Sequence, residues 1–318
     1  MTKHNASTFS IILAYLLIYI VWGSTYFFIH IALQGFHPFL LGAIRFTTAG
    51  LLLLVWSSKH KEPIWNKQLI KNAAITGTLL LFIDMGLVMM VQRYLHSSLI
   101  AIMASSTAIW MLLIDKRMWH TNFKNWNTIA GLLVGFVGVV LLFGEQLLFS
   151  FQESGDANKA IGMCLLILST FIWASGSVYS KYSYQPKAVT FANAAWQMTI
   201  AGSLFWIASF LNGDVQKFNA VFIPNSAWFA IIYLIIFGSL LAYSSYIWLL
   251  KIRPATEVST HAYINPLVAV FLGSTFGNEH ITMIQIAGLI IILCGVALIN
   301  VIKIKKDKRI KQARPEQG

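Results

Sequence analysis

The chain has 318 residues, 57% of them hydrophobic and only 11% charged, against roughly 25% charged in an ordinary soluble domain. No soluble core of this size hides such a surplus, so the composition excludes a water-soluble globular protein and requires a bilayer as solvent. The net charge of +12 does not mark a nucleic-acid binder: seven of the 23 Lys and Arg lie in the tail Lys303–Gly318, and no segment presents a basic face interleaved with stacking aromatics.

Apolar runs of about 17–25 residues predict an all-α polytopic membrane protein with ten transmembrane helices. In the first half they fall near Ile11–Leu33, Pro38–Trp56, Ile70–Val91, Ser97–Ile114 and Thr128–Gly144. In the second they fall near Ile161–Tyr182, Val189–Leu211, Ala227–Leu250, Glu257–Phe276 and Met283–Val301. The first run follows Lys3 and His4 but is longer than a signal-peptide core and ends in no A-x-A-like site, so it reads as a membrane helix. With the N-terminus inside, the inner segments hold 19 Lys and Arg and the outer ones only Arg93, Lys159 and Lys217. The positive-inside rule then predicts that both termini are cytoplasmic, with the basic tail against the anionic lipid surface. Cys164 and Cys294 each sit inside an apolar run and read as small buried hydrophobes, with no disulfide or metal spacing.

The run Leu16–His30, LLIYIVWGSTYFFIH, is echoed at Leu166–Lys181, LILSTFIWASGSVYSK. Further matches come in the same order. Thr48-Ala49-Gly50 answers Ile200-Ala201-Gly202, Gly77-Thr78-Leu79-Leu80 answers Gly238-Ser239-Leu240-Leu241, and Gly131/Gly138 answers Gly288/Gly295. These predict a first repeat over 11–144, a periplasmic connection over 145–160, a second repeat over 161–302 and a basic cytoplasmic tail over 303–318. Five spans is an odd number, so the second repeat runs inverted, an architecture of transporters with the substrate site between the repeats near the midplane. The glycine pairs read as close-packing sites between helices.

With this pattern the chain resembles the drug/metabolite transporter superfamily, in particular the EamA-type bacterial permeases with two five-helix repeats. The resemblance rests on Trp22-Gly23-Ser24-Thr25-Tyr26, Pro38, Arg45-Phe46, Ala49-Gly50-Leu51, Trp173, Gly176-Ser177-Val178-Tyr179, Gly238-Ser239 and Tyr263-Ile264-Asn265-Pro266, with Glu279 preceding the last span. It implies an inner-membrane exporter of amino acids, related metabolites or drugs, with no cofactor. A homodimer is compatible with it. The chain departs from the family at Ala108, where Pro is frequent, at Met85 and Gln92, where Asn and Glu are frequent, and at Asn122, which stands where the second half has Glu279.

An ionisable group in a membrane helix costs roughly 2.5–3.5 kcal/mol on insertion scales and normally meets a partner or a wet cavity. Counting from the helix ends puts Arg45 and Asp84 each about 10 Å below the outer surface. Either they pair within a polar pathway open to substrate carboxylate or ammonium groups, or they form a closed ion pair that ties two helices. Glu257, His261 and Asn265 follow at i, i+4 and i+8, with Tyr263 between, and Pro266 frees a carbonyl of the preceding turn. This polar stripe either lines a cavity or forms interhelical hydrogen bonds. Trp22, Ser24, Tyr26, Trp173, Trp196 and Gln197 complete the candidate pathway, Gln197 because it aligns with Arg45. Trp56, Trp119 and Trp126 read as interfacial belt, and Glu279 as a cap on the last span.

The predicted activity is secondary transport by alternating access. No phosphate-binding G-x-x-x-x-G-K-[ST] loop is present to support a primary pump. An intramembrane protease is the competing enzyme class, but no H-E-x-x-H or second membrane aspartate accompanies Asp84, so no catalytic or metal-binding residues are assigned. A sensor or scaffold is disfavoured by the lack of any soluble domain larger than a loop.

Overall fold

The computed structural model describes residues 7–95, 97–120, 124, 126, 129–131, 133–135, 137–138, 141, 157–183, 191–253, 255–276, 282–284, 286–295 and 298. The side chains of residues 98, 102, 157, 158, 256, 257, 263 and 270 are outside that set. So are Asn122, Glu279, the basic tail and most of the fifth predicted span.

The described residues form helices and no strands. Six helices are long and apolar enough to cross a membrane: α1 Thr8–Ala32, α2 Pro38–Lys59, α3 Lys67–Val91, α6 Ala157–Tyr182, α7 Phe191–Leu211 and α8 Asn225–Ile252. Between α3 and α6 lie α4 Ser97–Ala104 and α5 Thr107–Ile114. After α8 come α9 Ala255–Val258, α10 His261–Phe276 and α11 Ile286–Gly295.

Local chemistry starts these helices where the sequence changes character. Ser7 Oγ accepts from Ser10 N at 3.1 Å ahead of α1, and Asn66 Oδ1 accepts from Leu69 N at 3.0 Å ahead of α3. Each satisfies one of the four donors that a helix start leaves open. Pro38 opens α2, where its missing N–H costs nothing. The start of α7 is capped from afar: Glu62 Oε2 accepts from Ala192 N at 2.7 Å, a carboxylate at the positive end of the helix dipole.

Two predicted spans are broken. The run Ser97–Ile114 divides at Ser105-Ser106, although no proline is present at Ala108. Hydroxyl side chains offer the backbone alternative partners, and Ser106 Oγ indeed reaches Thr170 Oγ1 at 3.2 Å. The run Glu257–Phe276 divides at Ser259-Thr260, nearly two turns before Pro266. Three long helices also carry π-helical stretches, Leu17–Val21 in α1, Thr78–Asp84 in α3 and Leu234–Tyr243 in α8. A π turn widens the helix and shifts the side chains that follow it off the 3.6-residue register.

Helix α2 packs along α7, α1 against α8 and α10, and α6 against α3 and α5. Glycines set the closest approaches, and they do so reciprocally. A Cβ added at Gly50 would lie 2.6 Å from Thr199 N, and one added at Gly202 would lie 2.6 Å from Thr47 N. One at Gly77 would lie 2.9 Å from Gln197 Cα, while one at Gly238 would lie 3.1 Å from Arg45 Nη2. One at Gly138 would meet Ile292 N at 2.9 Å, and one at Gly295 would meet Gly131 O at 2.6 Å. The glycine pairs thus mark helix crossings. Cys164 and Cys294 depart from the sequence reading: both are free thiols on exposed helix faces. An apolar position on a membrane helix is as well suited to lipid as to the core, so hydrophobicity alone does not bury it. Trp56, Trp119 and Trp126 are exposed, as belt residues are.

Candidate functional site

The π stretches of α3 and α8 contribute to one cavity, lined by residues of α1–α6, α8 and α10 and by none of α7. About 70 Å³ of it admits the centres of water molecules. A single water needs roughly 10–15 Å³ on that measure, so the cavity is narrow and suits a small solute rather than a bulky one.

Arg45 and Asp84 both line it, each with only 4% of its surface exposed. They do not form the ion pair that their equal depths suggested, because depth along a helix says nothing about the direction in which a side chain points. Arg45 Nε donates to Ser239 Oγ at 2.9 Å, its guanidinium carbon lies 4.8 Å above the Phe46 ring, and Nη1 has no hydrogen-bond partner. Asp84 Oδ1 accepts from Ser169 Oγ at 2.5 Å. Each charge therefore holds one neutral hydroxyl and neither compensates the other. A hydrogen bond to a charged group is worth about 1.5–3 kcal/mol, comparable to the cost of burying the charge in a membrane helix.

One wall is aromatic. Trp22, just past the π stretch of α1, meets Trp173 edge to face at a centroid distance of 5.4 Å. Tyr246 lies 4.9 Å and His261 5.2 Å from the same ring. Trp22 Nε1 donates to Gly238 O at 3.1 Å, inside the π stretch of α8. The Tyr246 and Ser177 hydroxyls share a hydrogen bond at 2.6 Å. The two Trp segments that echo one another in sequence therefore face each other in space.

His261 and Asn265 also line the cavity. His261 Nδ1 lies 2.8 Å from Val258 O; a carbonyl only accepts, so Nδ1 carries the proton there. Oriented as its carbonyl surroundings require, the Asn265 amide nitrogen donates to Ile18 O and Tyr19 O at 2.9 Å and to His261 O at 3.0 Å. It thus serves carbonyls in the π stretch of α1. The side chains of Glu257 and Tyr263 lie outside the described residues.

Of the remaining candidates, Tyr26 lines the cavity, and Gln92 donates to its carbonyl oxygen. Ser24 does not: its hydroxyl bonds Val21 O and the Tyr233 hydroxyl, both at 2.7 Å. Gln197 sits one layer behind the wall and accepts from the Tyr243 hydroxyl, which does line it. Trp196 lies elsewhere. Its Nε1 donates to Ile64 O at 2.7 Å and its ring packs edge-on against Trp65. The connection before α3 covers that end of α7, which apolar-run counting could not reveal. The sequence reading passed over Ser169, Ser239, Thr25, Thr107 and Thr170, all cavity-lining. The match of Gly77-Thr78 with Gly238-Ser239 was the available signal for Ser239. Among the described residues no group of three His, Cys, Asp or Glu is placed to hold a metal ion.

Fold and site define a helical membrane protein with a narrow, charge-bearing cavity at its centre. The EamA-like transporter family model matches the chain twice, over residues 9–144 and 160–301, and the chain belongs to that family. It is 32% identical over 288 residues to a protein of Escherichia coli K12 named an uncharacterized inner membrane transporter, YedA, covering 89% of this chain and 88% of that one. It is 21% identical over 301 residues to a Salmonella typhimurium protein named a probable amino-acid metabolite efflux pump, covering 93% and 96%. A solved crystal structure shares the fold at a TM-score of 0.67 and 16% identity, over 93% of this chain and 99% of the other.

Proposed function

We propose that the protein exports an amino acid, a related small metabolite or a drug across the bacterial inner membrane, by alternating access at the central cavity. The ten spans form two five-helix repeats of opposite orientation, divided at residues 145–160, with both termini cytoplasmic. The observation that carries this reading is the pair of buried charges, Arg45 and Asp84, facing one cavity without neutralising each other. Such groups within membrane helices mark substrate or ion pathways. Trp22, Tyr26, Trp173, His261 and Asn265 complete the pathway wall, with Gln197 supporting it through Tyr243.

The inverted arrangement draws support from the reciprocal glycine contacts, Gly50 on Thr199 and Gly202 on Thr47. These residues are sequence counterparts, so one crossing repeats under a two-fold operation. The 19-to-3 division of Lys and Arg supports the orientation. The test is flux in proteoliposomes across a panel of amino acids, their metabolites and toxic analogues. Saturable, protein-dependent movement of at least one solute is expected; no flux from reconstituted, folded protein across the whole panel overturns the reading.

A further inference from the structure

Outside the cavity, the α2–α7 pair carries two grooves. One runs along α2 past Leu54, Val55, Ser58 and Lys59 and is walled on its far side by Trp65 and Trp196. The other runs along α7 past Trp206, Ile207, Phe210 and Leu211. The register that pairs Gly50 with Gly202 and Arg45 with Gln197 also pairs Leu54 with Trp206 and Val55 with Ile207. It pairs Ser58 with Phe210 and Lys59 with Leu211 as well. The grooves are therefore repeat counterparts, and they differ at one end. The α7 copy is apolar throughout, as suits a surface against acyl chains. The α2 copy ends in a hydroxyl and an ammonium, which the fold does not require, because its counterpart is built without them.

Leu54 and Val55 lie about 6 Å further from the end of α2 than Ser58 and Lys59. The groove thus passes from apolar to cationic toward the membrane surface, the order in which a phospholipid presents its own parts. Its wall is fixed: Trp196 Nε1 donates to Ile64 O at 2.7 Å, and the Trp65 ring meets Trp196 edge to face at 5.5 Å. Indole rings favour the head-group level. The segment Lys59–Lys71 holds four lysines and one acidic residue, Glu62, whose carboxylate accepts from Ala192 N. Among the described residues no carboxylate pairs with Lys59.

We infer that the α2 groove is a binding site for one anionic phospholipid, with its phosphate at Ser58 and Lys59 and an acyl chain along Leu54, Val55 and the Trp65–Trp196 wall. Basic recesses between membrane helices bind anionic head groups in this way. A lipid seated there ties α2 to the connection before α3 and to α7. That the lipid comes from the cytoplasmic leaflet rests on the orientation proposed above; the binding itself does not.

The test titrates the purified full chain in detergent with dioctanoyl phosphatidylglycerol, dioctanoyl phosphatidylcholine and glycerol 3-phosphate, reading binding as thermal stabilisation. Phosphatidylglycerol should reach its half-maximal effect at a concentration at least about fivefold below phosphatidylcholine, the worth of one lysine at an anionic lipid surface. Glycerol 3-phosphate should give no shift at those concentrations. Lys59 is exposed, so its replacement leaves the packing intact: Lys59→Gln should remove most of the preference and Lys59→Arg should keep it. Lys61→Gln, on the same segment but outside the groove, and Leu211→Gln, in the α7 copy, should leave it unchanged. Equal effects of the two lipids, or a preference that survives Lys59→Gln, overturn the inference. A preference that Lys61→Gln removes as fully overturns it in favour of diffuse surface charge. A shift from glycerol 3-phosphate equal to that from phosphatidylglycerol overturns it in favour of a small-anion site. None of these readouts involves flux, so failure here leaves the transport reading standing.

Discussion

Arg45 and Gln197 stand at matching positions of the two stretches that the family model recognises, yet they meet their surroundings in different ways. Gly238 leaves room beside it for the end of the Arg45 side chain, with Nη2 3.1 Å from a would-be Cβ, whereas Gly77 is pressed against the Gln197 backbone, 2.9 Å from its Cα. Arg45 lines the cavity, while Gln197 supports Tyr243 from behind. The same glycine position thus seats a backbone crossing in one half and a cavity side chain in the other. Duplication supplies a symmetric scaffold, and a single substitution at one copy decides which half carries the charge.

The largest effect that could break this comparison comes from the glycines. Gly77→Ala drives a methyl into main chain that cannot yield and should destabilise the protein by about 1–3 kcal/mol. Gly238→Ala meets side-chain atoms and no backbone, Arg45 Nη2 and Thr25 Cγ2, both at 3.1 Å, so thermal unfolding in detergent should change less while ligand binding weakens. Equal losses of stability would dissolve the distinction.

A second contrast sets the cavity wall against the cytoplasmic connection predicted before α3. Trp22→Phe and Trp196→Phe each remove one indole donor to a backbone carbonyl, so each should cost about 1 kcal/mol. Only Trp22→Phe should alter flux. A comparable loss of flux in Trp196→Phe would extend the pathway to the end of α7.

The smallest expected effect lies where the loops of the two stretches meet. His37 Nδ1 lies 3.9 Å from Asp214 Oδ1, with 40% of the His37 side chain exposed. Asp214 also keeps a 2.7 Å bond from the Asn212 amide. After allowance for solvent screening, His37→Gln should change stability by less than about 1 kcal/mol. A larger loss in the melting curve would promote this contact to a clasp between the stretches.

Much of the fold is legible in the sequence because a bilayer imposes length on apolar runs. The six long helices begin and end within a few residues of the predicted runs. The facing of Trp22 and Trp173 and the crossing of the Gly131/Gly138 and Gly288/Gly295 segments are legible too, since small residues and repeat symmetry restrict how helices approach. What escapes is azimuth. Arg45 and Asp84 share a depth but point at different serines, and the π stretches Leu17–Val21 and Thr78–Asp84 rotate the faces that a 3.6-residue period assigns. The break at Ser105-Ser106 escapes because serine and threonine are unremarkable in composition and act only when a partner such as Thr170 is within reach. Trp196 escapes because the covering loop belongs to a distant part of the chain.

The Gly50–Thr199 and Gly202–Thr47 contacts fasten α2 to α7 within a single turn of each helix. Backbone comes closest to backbone at this crossing, which resists sliding more than tilting and gives the pair the mechanics of a fulcrum. Lys59 lies about 13.5 Å along the axis from Gly50 and Arg45 about 7.5 Å the other way. A tilt of about 10° would swing the far arm of this lever by roughly 2 Å and move the Arg45 backbone by little more than half as much. Arg45 thus sits on the shorter arm of the lever, so the cavity end of this charge-bearing stretch travels less than the far end of α2 when the helix tilts.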